Sequence, residues 1–316
     1  MHSLAGKDFL TLKGLERADL ELIFDVARPM EAIVRRRTRI DLLKDKCLGL
    51  MFFQVSTRTR ISFESAMQRL GGGVVGFVDP ASTRIGDYYA ESLHEVVRMM
   101  EHYADVLVIR HPKDGAPAQA AAITDVPVIN AGDGYNEHPT QGLLDAYTIL
   151  REKGQLDGLR IGVVGDLKQR TLHSLALPLA QYRSRVTFIA QPEDPLPSEW
   201  DRTFRQVGLL YDMATSIDDV IQELDVLYVM TTKTPSYSVG RSQAVAERPK
   251  TPSAFVLDRA KLARGKKDLI VLHPLPRTDE LPQEVDTHAS ARYFVQAFYG
   301  VVIRMALLAL VLVRAP

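Results

Sequence analysis

Residues 48–70 read LGLMFFQV, then STRTR, then ISFESAMQRL: an apolar run, a short stretch of hydroxyls and guanidiniums, and a segment whose apolar positions recur at helical spacing. An unbroken apolar run of this length suits a strand covered on both faces, as in a parallel sheet, and the period of about 3.6 that follows suits a helix. Strand, loop and helix in that order make the first half of a βαβ unit. The loop places Ser56, Thr57, Arg58, Thr59 and Arg60 at the helix N-terminus, where unpaired N–H groups and the helix dipole favour an anion. Hydroxyls and a guanidinium add donors that match phosphate oxygens. Taken alone, the same residues read as well as a helix cap beside two solvated arginines.

Outward from this unit, apolar runs at 74–78, 106–110, 126–130, 159–164, 186–190, 226–230 and 269–272 predict further strands. Helical patterns at 92–102, 140–153 and 174–182 lie between them, so the fold class is α/β, with mainly parallel sheets flanked by helices. A chain of 316 residues exceeds one typical core, which predicts two domains of roughly 150 residues. Gly154 and Asp157-Gly158 form a helix stop and a turn near mid-chain. The expected division is 1–135, 136–290, and a C-terminal helix within 291–316, apolar on most faces, that returns to the first domain. Residues 232–252, with Pro235, Gly240, Pro249 and Pro252 and no apolar period, predict a long mobile loop.

Lys plus Arg equals Asp plus Glu at 39 each, so no global field favours nucleic acid or an anionic membrane. The single cysteine, Cys47, precedes an apolar run and reads as a small buried hydrophobe in a reducing compartment, which points to the cytoplasm. The opening residues lack a basic stretch followed by a long apolar one, and the apolar run at 305–313 is too short to cross a bilayer. Gly162-Val163-Val164-Gly165-Asp166 follows a strand but lacks the third glycine of a dinucleotide fingerprint, so a nucleotide-binding α/β protein is the weaker reading. Neither a cofactor nor a metal is expected.

Ser56-Thr57-Arg58-Thr59-Arg60, continued as Ser62-Phe63-Glu64, resembles the carbamoyl phosphate signature of aspartate and ornithine carbamoyltransferases. Arg110-His111-Pro112, Asn130-Ala131-Gly132-Asp133-Gly134, His138-Pro139-Thr140-Gln141, Gly165-Asp166-Leu167-Lys168 and His273-Pro274-Leu275-Pro276-Arg277 follow in order and resemble the aspartate branch. Thr140 stands where ornithine enzymes typically have Cys. The resemblance implies that Ser56, Thr57, Arg58 and Thr59 hold phosphate and that Arg110, His138 and Gln141 contact the carbamoyl end. It further implies that the carbonyls of Pro274 and Leu275 accept from its NH₂, and that Leu275-Pro276 is cis. Arg58, Thr59, Arg110 and His138 are then the catalytic set, with Thr59, Arg110 and His138 as donors where negative charge develops on the carbonyl oxygen. His111, His173 and His273 read as mainly structural, and Arg277 either binds the acceptor or pairs with Asp279 or Glu280. The resemblance also implies a homotrimer, with partner or regulatory subunits as a further expectation, and a place in pyrimidine biosynthesis.

Two stretches depart from the family pattern. Arg170 resembles the arginine that binds the acceptor carboxylate, but the family's Met-Thr-Arg-x-Gln is replaced by Met230-Thr231-Thr232-Lys233-Thr234. Lys233 supplies charge without a bidentate fork, and Arg241 and Gln243 lie further along. The loop at 79–91, which in the family comes from a neighbouring subunit with a serine and a lysine, has Ser82 and Arg84 but no lysine, and Asp87 there would repel an anion. The candidate acceptor residues are therefore Arg170, Lys233, Arg241 and Gln243. Three readings stand: carbamoyl transfer to the α-amino group of aspartate, the same chemistry on another amine, and a catalytically weak homologue serving as a partner subunit.

Overall fold

The computed structural model describes residues 4–232 and 250–313; of the 48–55 run, residues 48–52 form a buried strand in it and Val55 is exposed. The first sheet is parallel throughout, in the order β2-β1-β3-β4: β1 (Cys47–Phe52), β2 (Gly73–Phe77), β3 (Val106–His111) and β4 (Val128–Asp133). Helices α1 (Arg17–Arg35), α2 (Thr57–Arg69), α3 (Leu93–Met100) and α4 (Ala116–Ala121) accompany it. Met51, Leu107, Ile109 and Val128 pack with Val96, Val97 and Met100 of α3, so the central strands are apolar on both faces. The β3–β4 register shifts between Ile109 and His111, an irregularity that falls at Arg110.

The second sheet is also parallel, ordered β7-β6-β5-β8-β9: β5 (Arg160–Val164), β6 (Arg185–Ile189), β7 (Leu210–Ala214), β8 (Val226–Val229) and β9 (Ile270–Leu272). Its helices are α5 (Pro139–Lys153), α6 (Arg170–Ala180), α7 (Ser198–Gln206) and the short α8 (Arg259–Leu262). Val164, Ile189, Leu227, Val229, Leu257 and Val271 belong to one buried cluster.

The chain divides into two compact units, Met1–Leu144 with Ala297–Pro316, and Asp145–Gln296. Instead of the expected break after 135, the cut falls inside α5. Residues of its first turn are tied within the first unit, where Arg304 Nη2 donates to Thr140 Oγ1 at 3.1 Å. Asp145 is tied within the second, accepting from Tyr228 Oη at 2.7 Å and Gln296 Nε2 at 2.6 Å. The C-terminal helix α9 (Tyr293–Leu312) belongs to the first unit from Ala297 onward. By length and composition α9 is sufficient to cross a membrane, unlike the 305–313 run on its own, but 67% of its apolar window is buried inside the protein, as in a core helix.

Candidate active site

The α2 N-terminus has the backbone of a cap without the side-chain bond. Ser56 is extended (φ −156°, ψ 117°), yet its hydroxyl makes no cap hydrogen bond, which disfavours the plain N-cap reading. The helix is fixed from inside: Ser62 Oγ donates to the carbonyls of Arg58 at 2.6 Å and Thr59 at 2.9 Å, and Phe63, Ala66 and Met67 are buried. Thr57 and Arg58 remain exposed, while Thr59 is buried. Arg60 is engaged by Glu64 at 2.7 Å one turn on, and Arg58 lies in the first turn of the helix. Protein around its guanidinium pushes the Arg58 pKa down by desolvation, although the side chain is open to solvent.

Thr59 meets residues from two other elements. Its Oγ1 lies 3.3 Å from His138 Nε2, and Arg110 Nη1, at the end of β3, lies 3.4 Å from the same nitrogen and 3.3 Å from the Ala131 carbonyl. His138 precedes α5 and is buried, as is Gln141, whose N–H donates to the His138 carbonyl at 2.8 Å. The turn leading to His138 is held by buried Asp133, whose carboxylate accepts from Gly115 N, Asn130 Nδ2, Asn136 Nδ2 and Glu137 N at 2.7–3.2 Å. Burial pushes the Glu137 carboxyl up in spite of bonds from Leu12 N and the Thr11 hydroxyl. Asp133 was not singled out from sequence; the Asn-Ala-Gly-Asp-Gly run around it was the available signal.

In the second unit, Arg170 is the first residue of α6 and is buried. The turn before it is anchored to the end of β8: Gln169 Nε2 donates to both the carbonyl and Oγ1 of Thr231 at 2.8 Å, and Asp166 N donates to the same carbonyl at 3.0 Å. Gly165 has φ +138°, and a Cβ there would come within 2.8 Å of the Met230 carbonyl, so no larger residue fits this crossing. His173 stacks on Trp200 with centroids 4.1 Å apart, in keeping with a structural role. Pro274 and Leu275 follow β9; Leu275 has φ +53° and a cis bond to Pro276.

Other expected site residues are placed differently. Arg84 pairs with Asp87 at 3.1 Å and lies 4.6 Å over the Tyr89 ring, so its charge is answered locally and Asp87 is its partner; Ser82 Oγ donates to the Asp79 carbonyl in the same loop. Arg277 pairs with Asp286, one contact at 2.7 Å, and with Tyr293, in place of Asp279 or Glu280, because Asp279 is taken by Thr251 and Glu280 by His273. Lys233, Arg241 and Gln243, and most of the expected 232–252 loop, lie outside the described residues.

Residues 7–151 match the family model for the carbamoyl-P binding domain of aspartate/ornithine carbamoyltransferases, and residues 157–311 match that for the Asp/Orn binding domain. The aspartate carbamoyltransferase catalytic subunit of Methanopyrus kandleri is 43% identical over 316 residues, covering 99% of each chain. That of Thermococcus onnurineus is 42% identical over 308 residues, covering 97% of each. Among solved structures, Trypanosoma cruzi aspartate transcarbamoylase in complex with carbamoyl phosphate and aspartate superposes with a TM-score of 0.87 at 34% identity, over 98% of this chain and 96% of that one. The same enzyme with N-(phosphonacetyl)-L-aspartic acid gives 0.88 at 34% identity, over 98% and 97%.

Proposed function

The chain belongs to the aspartate/ornithine carbamoyltransferase family, and from that premise we propose that it transfers the carbamoyl group of carbamoyl phosphate to the α-amino group of L-aspartate, a step of pyrimidine biosynthesis. The observation that carries the reading is the convergence of Thr59, Arg110 and His138 beside the uncapped start of α2. The uncharged amine attacks the carbonyl carbon, and charge that develops on the oxygen meets the Thr59 hydroxyl and the Arg110 guanidinium. Arg110 only donates, so His138 Nε2 accepts from it in this arrangement and contributes a donor to the oxygen only when that nitrogen carries a proton. The C–O bond to phosphate breaks, the leaving group takes the electron pair and then the proton shed by the amine. Ser56, Thr57 and Arg58, with the α2 N-terminus, hold its charge.

Arg170 takes an acceptor carboxylate. A second reading, carbamoylation of a different amine, is favoured by Thr232 standing where the family pattern has a guanidinium, and by the pairing of Arg84 with Asp87. Assembly as a homotrimer is supported by apolar side chains exposed on and near edge strand β2 and α2, namely Val55, Ile61, Val75 and Val78, together with Tyr88 at 95% exposure. Placement in the cytoplasm is supported by the lone Cys47.

The test is formation of a carbamoylated product from carbamoyl phosphate with aspartate and with a panel of amines, identified by mass, alongside inhibition by N-(phosphonacetyl)-L-aspartic acid. Aspartate turnover with tight inhibition supports the first reading. Turnover only with another amine supports the second, and no turnover with any amine removes both.

A further inference from the structure

The Leu275 backbone occupies the left-handed region, which disfavours any residue with a Cβ, and a specific contact holds it there. Leu275 N–H donates to His273 Nδ1 at 2.8 Å. An imidazole nitrogen that accepts carries no proton, so the hydrogen of this ring sits on Nε2, which faces Glu280 Oε1 at 2.9 Å. Both side chains are buried, at 2% and 0% exposure. Glu280 also accepts from Thr278 N at 2.8 Å and from the Thr278 hydroxyl. Burial works against its charge, but the bonds from His273 and Thr278 outweigh it and hold the carboxyl below its ordinary range. From the other side, His273 N–H donates to Gln296 Oε1 at 2.9 Å, and Gln296 continues to Asp145 and Tyr228. The segment from His273 to Leu275 is thus fixed through its ring and its backbone by buried bonds, far more than packing the end of a three-residue strand requires.

We propose that His273 and Glu280 are positioning residues that aim the carbonyls of Pro274 and Leu275, and thereby make the enzyme select a phosphoanhydride whose acyl group bears an NH₂ over one that cannot donate. Glu280 fixes the imidazole tautomer and ring plane, the imidazole fixes Leu275 N–H, and the orientation of that peptide sets where the two carbonyl oxygens point. This rests on the reading that those carbonyls receive the carbamoyl NH₂. Carbamoyl phosphate and acetyl phosphate differ there by NH₂ against CH₃, so their relative affinity reports the carbonyls, whereas inorganic phosphate reports only the phosphate cradle.

The experiment compares the full-length protein with two double variants, His273→Phe/Glu280→Gln and His273→Asn/Glu280→Gln. Glutamine keeps a carbonyl oxygen to accept from Thr278 N–H and an NH₂ that donates to the Thr278 hydroxyl, without leaving a buried charge unpaired. Phenylalanine keeps a ring but removes the acceptor for Leu275 N–H, while the asparagine oxygen restores one by the local turn bond that Asx side chains make two residues on. Competition constants are measured for carbamoyl phosphate, acetyl phosphate and inorganic phosphate. The expected result is that the phenylalanine variant loses about tenfold or more of the preference for carbamoyl over acetyl phosphate, with phosphate affinity within about twofold, and that the asparagine variant keeps most of the preference. An unchanged preference in the phenylalanine variant would overturn the proposal, as would equal loss in both variants or a parallel loss of phosphate affinity. Absence of any preference in the unmodified protein would instead overturn the carbonyl reading beneath it.

Discussion

Thr59 Oγ1 and His138 Nε2, from residues 79 apart in the chain, lie 3.3 Å from each other, with Arg110 Nη1 3.4 Å from the same nitrogen. A carbonyl oxygen entering this cluster exchanges one acceptor for another, so the hydroxyl and guanidinium need little reorganisation to meet the charge that develops on it. Thr59→Val keeps the shape of this buried side chain and removes its hydroxyl. The expected outcome is a fall in kcat of about 10–100-fold with a much smaller change in KM for carbamoyl phosphate. A loss confined to KM would move Thr59 from the reacting carbonyl to ground-state binding.

Arg58 lies in the first turn of α2, at the proposed phosphate cradle. Arg58→Ala should weaken binding of carbamoyl phosphate and of inorganic phosphate alike, by about 1.5–3 kcal/mol, the range of a hydrogen bond to a charged group. Competition by inorganic phosphate in the assay measures this directly, and near-unmodified affinity would remove Arg58 from the cradle.

The β1–α2 unit was legible because both of its faces are decided locally: a strand buried on both sides is apolar throughout, and the hydroxyl-rich loop announces the helix start. Strand β7 (Leu210–Ala214) was not legible, since it is a sheet edge whose Leu210 and Met213 are exposed and whose Asp212 is paired with Arg185 of β6. Helix α6 begins at Arg170, ahead of the pattern read at 174, because Gln169 at its N-cap spends its side chain on Thr231, 62 residues away. The candidate site residues are read from their motifs, but the groups that hold the segments around them, Asp133, Gln169 and Glu280, act through burial or across chain separations that no local pattern records. Arg84 and Asp87 show the converse: their i,i+3 spacing is plain in the sequence, and the partner of Asp87 is that neighbour.

Arg84 and Arg170 should therefore separate in an acceptor titration. The Arg84–Asp87 pair is exposed, and such pairs contribute about 0–1 kcal/mol, so Arg84→Ala should change the acceptor KM by less than about threefold. Arg170 is buried at the head of α6 and is assigned an acceptor carboxylate; Arg170→Ala should raise the acceptor KM by about 100-fold or more. A large effect at Arg84 would restore it as the displaced cation of the 79–91 loop.

Asp286 yields a pH prediction. The Arg277 guanidinium bonded to it, with a further bond from the Tyr293 hydroxyl, draws its carboxyl down from 3.8 to about 2, against some desolvation. A depressed folded-state pKa adds stability that is present above the unfolded value and lost as pH falls through the folded one. Asp286→Asn should thus destabilise the protein at pH 6–7, by about 1 kcal/mol given partial solvent screening, and the deficit should shrink between about pH 4 and pH 2. Thermal melts of both proteins across that window check the sign; a deficit that grows on acidification would rule the pair out as its origin.

Thr140 is the residue whose identity separates the aspartate-like from the ornithine-like motif, yet its hydroxyl is turned to the first unit's own framework. It accepts from Arg304 Nη2 at 3.1 Å, and Arg304, 3% exposed on α9, also donates to the Gly300 carbonyl at 3.0 Å and lies 5.1 Å over the ring of Phe63 on α2. One guanidinium thereby braces the helix that carries the proposed phosphate cradle and the helix that follows His138. Thr140→Val removes the acceptor at nearly constant volume and leaves a buried donor short of a partner, a loss of about 1–3 kcal/mol. Thr140→Ser keeps the hydroxyl and should recover most of it. If the brace is what Thr140 provides, denaturant melts will show the valine deficit while the ratio of kcat/KM among acceptor amines stays where it was. A shift in acceptor preference without loss of stability would assign Thr140 to substrate choice instead.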